Sequence, residues 1–254
     1  MYAQSLSRLL SILDELRERC PWDKKQTLQS LRPQTIEELY ELTDALSGER
    51  WDDIREELGD ILLHIVFYCR IASEQGQFAM PDVIEGICNK LIHRHPHIYS
   101  VISVNDEADV RRNWEQIKKS EGKQSVLSGV PASMPALIKA LRIQEKSAQI
   151  GFEWKRIEEV RDKVAEELRE MDEAVASGNK EHIEEEIGDL FFAMINYARF
   201  AGVDPEEALE KTNRKFIRRF RYIEEAADRM GKDIRSMNLA EMDALWNEAK
   251  RSDK

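Results

Sequence analysis

An acidic pattern that recurs at a fixed distance constrains this chain more than any other feature of it. Shifted by 129 residues, Glu37-Glu38-Leu39-Tyr40-Glu41 falls on Glu166-Glu167-Leu168-Arg169-Glu170, and Glu56-Glu57-Leu58-Gly59-Asp60 falls on Glu185-Glu186-Ile187-Gly188-Asp189. Over 36–64 against 165–193 there are ten identities in 29 ungapped columns, and the rest largely keep apolar opposite apolar, so chance is a poor explanation. Further along the offset drifts to 125, pairing Lys90-Leu-Ile-His-Arg94 with Lys215-Phe-Ile-Arg-Arg219. It then drifts to 132, pairing Trp114-Glu-Gln-Ile-Lys118 with Trp246-Asn-Glu-Ala-Lys250, as loops of unequal length would produce. A chain of 254 residues can bury one large core or two ordinary ones. The repeat decides for two: an N-terminal unit over 1–120, a Gly, Ser and Pro-rich linker over 121–133, and a C-terminal unit over 134–254.

Apolar residues return every three or four positions, strand-like alternation is absent, and glycine and proline are scarce. The fold class is therefore all-α. The periodicity predicts helices near 2–19, 34–47, 51–76, 81–95, 107–120, 134–150, 157–176, 179–201, 205–230 and 239–252. Asp204-Pro205-Glu206-Glu207 combines a capping Asp, a proline at the first helical position and an acidic first turn, a helix start with three parts.

With 42% hydrophobic and 34% charged residues the chain is too apolar for disorder, and it has no apolar run of membrane length. Residues 1–19 scatter charges through an amphipathic pattern unlike a signal peptide, so no export is implied. Cys20, Cys69 and Cys88 lack metal-ligand spacing and fit a reduced compartment, hence a cytoplasmic location. A net charge of −11, with neither half basic, argues against a non-specific duplex-DNA binder. No nucleic-acid or membrane partner is expected.

Within each repeat, Glu-Glu-x-x-Glu and Glu-x-x-Asp put carboxylates three residues apart on one helical face. Two such helices offer four carboxylates, whose convergence is unfavourable without a cation. A hard divalent ion is the natural remedy, Mg²⁺ first and Mn²⁺ as its substitute. Duplication at fixed offset favours this reading over a merely solvated acidic face. Asp60 and Asp189 precede the apolar runs Ile61-Leu62-Leu63 and Leu190-Phe191-Phe192, which suggests a core edge, and Gly59 and Gly188 suggest close helix approach. A di-iron site would need Glu-x-x-His in both repeats and neither has it. His64 stands opposite Ala193 and reads as a packing or surface residue.

Cys20-Pro21-Trp22-Asp23, Leu31-Arg-Pro-Gln-Thr-Ile-Glu-Glu38 and the two acidic motifs resemble the MazG family. Gly151-Phe-Glu-Trp154 with Lys163-Val-Ala-Glu-Glu167 resembles its second unit, so the resemblance spans essentially the whole chain. It implies the all-α nucleoside triphosphate pyrophosphatase fold, a four-helix arrangement in each of two tandem units, usually dimeric. It also implies hydrolysis of NTP or dNTP to monophosphate and pyrophosphate, as in house-cleaning of the nucleotide pool, with ATP among the substrates. Carried over by position, the metal ligands are Glu167, Glu170, Glu186 and Asp189, with Glu38, Glu41, Glu57 and Asp60 as a second site. Glu166 joins the catalytic set, as an outer group or as an aid to deprotonating water. Lys163, Lys215, Arg218, Arg219 and Trp246 become nucleotide-binding residues, the three cations on one helix clamping phosphates. Trp246 is placed either to stack on a base or to pack against the bundle.

The units differ where His93-Arg94-His95-Pro96-His97 stands in place of Arg218-Arg219-Phe220-Arg221. A fixed charge becomes a titratable one, and Pro96 should end that helix early. Catalysis is therefore assigned to the second unit and a weak or structural role to the first. The competing readings are a non-catalytic helical interaction module and an enzyme dedicated to dUTP or phosphoribosyl-ATP.

Overall fold

The computed structural model describes residues 2–100, 106, 109, 110, 117 and 125–252. Among these there are helices and no strands. The chain divides into two compact units, 1–121 and 122–254. The expected helix near 107–120, the Trp114 pairing and positions 121–124 of the expected linker fall largely or wholly outside the described residues.

The first unit runs α1 (Tyr2–Arg19), a 3-10 turn (Asp23–Lys25), α2 (Leu28–Ser47), α3 (Trp51–Glu74), α4 (Met80–Arg94) and the single-turn α5 (Pro96–Tyr99). Helix α2 starts six residues earlier than the periodicity suggests. Thr27 and Ser30 form a reciprocal capping box there, and Pro33 is accommodated inside the helix. As expected, α4 stops before Pro96, which opens α5 instead of continuing the helix. Helices α2 and α3 form an antiparallel hairpin, and α1 packs on α3. Leu13, Leu31, Val66, Phe67 and Ile71 make the core between them.

Arg17 ties three elements of that unit together. Its guanidinium donates to both Glu74 oxygens, the nearest contact being 2.9 Å, and to the carbonyls of Asp23 and Gln26. The hydrogen bond from Arg17, and then the Arg17 charge, hold the Glu74 carboxyl below its ordinary range. Arg17→Ala should strand Glu74 and two carbonyls and cost about 2 kcal/mol of stability at neutral pH. Because the Glu74 pKa is depressed, its share is present above the usual carboxylate range and disappears on acidification. Urea titrations of the variant and the parent at pH 7 and at pH 3 check this; the difference should shrink at the lower pH.

The second unit runs α6 (Ala136–Ala148), α7 (Ile157–Ser177), α8 (Lys180–Phe200), α9 (Pro205–Arg229), a 3-10 turn (Ile234–Ser236) and α10 (Leu239–Ser252). Asp204 caps α9 by accepting from the backbone of Glu206 and Glu207 at 2.9 and 3.1 Å. Gly178, at φ +70, closes α7 in the left-handed conformation, and Asn179 caps α8 directly after it, so α7 and α8 form a tight hairpin. Helix α6 packs on α8, and α9 packs on α10 and touches α6 and α8. Val160, Ala174, Ala193, Ile195, Ile223 and Ala227 are buried among them.

Candidate metal centre and nucleotide site

Both acidic repeats fall on a helical hairpin, which is what makes their carboxylates converge. In the second unit, α7 carries Glu167 and Glu170, and α8 carries Glu186 and Asp189. One oxygen from each of Glu167, Glu186 and Asp189 lies within 4.8 Å of the others. Glu170 stands outside that group but close enough to Glu167 for that carboxylate, after burial, to raise its pKa. In the first unit the group is Glu38, Glu41 and Glu57. Asp60 lies outside it yet close enough to raise the pKa of Glu38 and Glu57. Each unit thus gathers three of the four expected residues, with a different fourth on the margin.

The oxygen set fits a divalent ion. Mg²⁺ contacts of about 2.1 Å draw ligand oxygens closer than they lie here, which side-chain rotation accomplishes. The electrostatics point the same way. Burial first, then the neighbouring carboxylates, push Glu38, Glu57 and Glu170 above the ordinary carboxyl range. A raised folded-state pKa favours the protonated form, so stability contributed there is present at low pH and is lost as pH rises through the shifted values. Replacing Glu57 with Gln should therefore raise the Tm of the metal-free protein at pH 7, and Mg²⁺ should add less to that variant than to the parent. Differential scanning calorimetry with and without the ion measures both.

Two basic side chains modify the second site. Lys163 bridges Glu166 at 2.8 Å and Glu167 at 2.7 Å, which raises its own pKa above the usual lysine value. It neutralises Glu167, whose residue is only 6% exposed. His182 Nε2 lies 3.1 Å from Glu186, a contact not anticipated from the sequence although the i, i+4 spacing signals it. The first unit has Gln34 at the Lys163 position. His64 is buried there, with Nδ1 2.8 Å from Thr35 Oγ1, and the same hydroxyl is 2.6 Å from Tyr68. Burial lowers the His64 pKa, and of the packing and surface roles open to it from the sequence its position is the packing one.

Two expectations are corrected. A Cβ placed on Gly59 or Gly188 would meet nothing within 4 Å, so neither glycine marks a close helix approach. Asp60 is half-buried at a core edge, but Asp189 is exposed, and Phe191 and Phe192 after it are 64% and 42% exposed. An apolar run following an acid does not by itself face the interior of its own chain.

The cations lie on other elements. Lys215, Arg218 and Arg219 are on α9 and Trp246 is on α10. Arg219 sits over the Trp246 ring at 5.4 Å, and Phe216 packs against the same indole at 5.1 Å. Arg218 turns to the adjoining face, where it lines a cleft with Arg214, Arg221 and Tyr222. The cationic surface is thus wider than the three residues singled out, because consecutive positions on a helix diverge by about 100°. In the first unit Lys90 and His93 are exposed on α4 and Arg94 is half-buried at its end.

The sequence pattern of the MazG nucleotide pyrophosphohydrolase domain matches residues 26–99 and 155–223. The chain is 41% identical to a nucleoside triphosphate pyrophosphohydrolase of Escherichia coli (strain K12), over 98% of both chains. It is 42% identical to a nucleoside triphosphate pyrophosphohydrolase/pyrophosphatase MazG of Thermotoga maritima, over 96% of this chain and 95% of that one. Similarity also extends to the uncharacterized protein YabN of Bacillus subtilis, 46% identical over 98% of this chain and 52% of that one.

Proposed function

The chain belongs to the MazG nucleotide pyrophosphohydrolase family and is a hydrolase of phosphoanhydride bonds; from that membership we propose that it converts NTP or dNTP to monophosphate and pyrophosphate with Mg²⁺, or with Mn²⁺ in its place. The observation that carries this is the convergence of Glu167, Glu186 and Asp189 on one hairpin, repeated in the first unit by Glu38, Glu41 and Glu57. Glu167, Glu186 and Asp189, with Glu170 beside them, would hold the ion. When bound, it screens phosphate charge and lowers the pKa of water. Glu166, held by Lys163, is placed to accept a proton from attacking water, and Lys163 offers a cation to the phosphates beside it. Lys215, Arg218 and Arg219 bind phosphate oxygens, with Trp246 fixing the Arg219 guanidinium.

Active protein is proposed to be a homodimer. Leu168, Val175, Phe191, Phe192 and Met194 on the α7–α8 hairpin are all more than two-fifths exposed, and exposed apolar side chains on one element favour a partner surface. No described helix is long and apolar enough to cross a membrane. The three free cysteines suit a cytoplasmic role in cleaning the nucleotide pool.

Product analysis tests the whole reading. Incubation with a panel of NTPs and dNTPs, dUTP and phosphoribosyl-ATP included, should release monophosphate and pyrophosphate in equal amounts from several of them. No release from any member would leave only a helical interaction module, and release from dUTP or phosphoribosyl-ATP alone would mark a dedicated enzyme.

A further inference from the structure

In the first unit His64 has one ring nitrogen committed and the other free. Thr35 Oγ1 meets three groups there: the Leu31 carbonyl at 3.0 Å, His64 Nδ1 at 2.8 Å and the Tyr68 hydroxyl at 2.6 Å. A carbonyl can only accept, so the single hydroxyl proton of Thr35 goes to Leu31. The Nδ1–H of His64 and the hydroxyl of Tyr68 then donate to Thr35. All three contacts are satisfied, and the lone pair of the neutral ring is left on Nε2. Among the described residues nothing hydrogen-bonds this nitrogen, although His64 is only 8% exposed. Nor is it sealed off: the fully enclosed, unpartnered side-chain atoms are Arg70 Nε, His97 Nδ1 and Gln144 Oε1. His64 Nε2 is a recessed acceptor that a small ion can reach.

Packing alone does not call for this network. In the register of the repeat, Thr35 and His64 stand opposite Val164 and Ala193, so the second unit closes the equivalent hairpin with apolar side chains at both positions. Asp60 precedes His64 by one turn of α3, the spacing at which two side chains on one helical face clamp a metal ion. The Asp60 charge is felt at His64, and after burial it is the largest influence on Glu38 across the hairpin. Asp60 and His64 both lie outside the group formed by Glu38, Glu41 and Glu57, so they extend that acidic site along α3. A histidine whose one N–H is held by a fixed acceptor presents its other nitrogen in a set direction, as metal-binding histidines do.

We propose that Asp60 and His64, with Glu38 across the hairpin, form a mixed oxygen and nitrogen position in the first unit for a first-row transition ion such as Mn²⁺ or Co²⁺. Mg²⁺ takes oxygen donors and gains little from an imidazole, whereas the transition ions gain from it. The two units therefore differ in the ion they prefer. The ion joins α2 to α3, and the position needs no hydrolysis by either unit.

Metal binding to the full chain carrying Asp189→Ala and His182→Ala, which remove a carboxylate and the only histidine of the second unit, tests this without turnover. Pulsed electron paramagnetic resonance of bound Mn²⁺ should show coupling to a directly bound nitrogen. His64→Gln should abolish that coupling and weaken Co²⁺ binding, measured by calorimetry, at least about tenfold. Thr35→Val, which installs the residue of the second unit, should leave the fold intact, release the ring and weaken Co²⁺ about tenfold. Affinity for Mg²⁺ should stay about the same in both variants. Should His64→Gln fail to fold by circular dichroism, Thr35→Val decides. Absence of nitrogen coupling in the His64 chain would overturn the proposal, as would coupling that survives His64→Gln and so belongs to His93, His95 or His97. Equal losses of Co²⁺ and Mg²⁺ affinity would also overturn it, by showing that the network only supports the fold. Triphosphate hydrolysis is not part of the readout, so failure of the hydrolase reading leaves this result unaffected.

Discussion

Glu186→Ala or Asp189→Ala is expected to lower kcat by about 100-fold or more, whereas Glu57→Ala or Asp60→Ala should change it little. Carboxylates alone do not predict this difference, because both units bring three of them within 4.8 Å. The surroundings break the symmetry. Lys163 neutralises buried Glu167 in the second unit, where the first has Gln34 beside Glu38. The cationic helix proposed to meet the phosphates carries Lys215, Arg218 and Arg219 in one case and Lys90, His93 and Arg94 in the other. One permanently charged guanidinium, on Arg218, is thereby replaced by the His93 imidazole, which has no fixed charge and cannot grip two phosphate oxygens at once. A charge-assisted contact to phosphate is worth about 1.5–3 kcal/mol, or one to two orders of magnitude in productive binding. Steady-state kinetics of the four variants, with folding and oligomeric state verified, measures the asymmetry. Equal losses in the two pairs would show that both units are catalytic.

Chelation should abolish turnover, and added Mg²⁺ should restore it. Clustered carboxylates and a triphosphate repel one another, and Lys163 alone offsets only part of that charge. The same titration should stabilise the protein, by about 2.7 kcal/mol when the ion is at 100 times its Kd. Pyrophosphate release and thermal unfolding followed in parallel across the titration separate an ion needed for chemistry from one needed only for folding. Full turnover in excess chelator would overturn the metal mechanism.

Local sequence determined the helical fold, because a 3.6-residue period, a capping box or an Asp-Pro start is written in neighbouring residues. It also determined the duplication, and with it eight acidic residues on two hairpins. Which carboxylates meet was decided by tertiary structure. Spacing along one helix places Glu167 and Glu170 on a face, but the partners from α8 depend on how the hairpin closes. One turn has Gly178 at φ +70, and the other has Glu49 at φ +49. For the same reason Gly188 and the phenylalanines after Asp189, apolar signals in the sequence, came out on the surface of their own chain. Gln144 carried no signal at all. It lies 48 residues from Phe192 on a different helix, and only packing of α6 against α8 joins its amide to the Phe192 carbonyl at 2.8 Å and leaves its Oε1 buried without a partner.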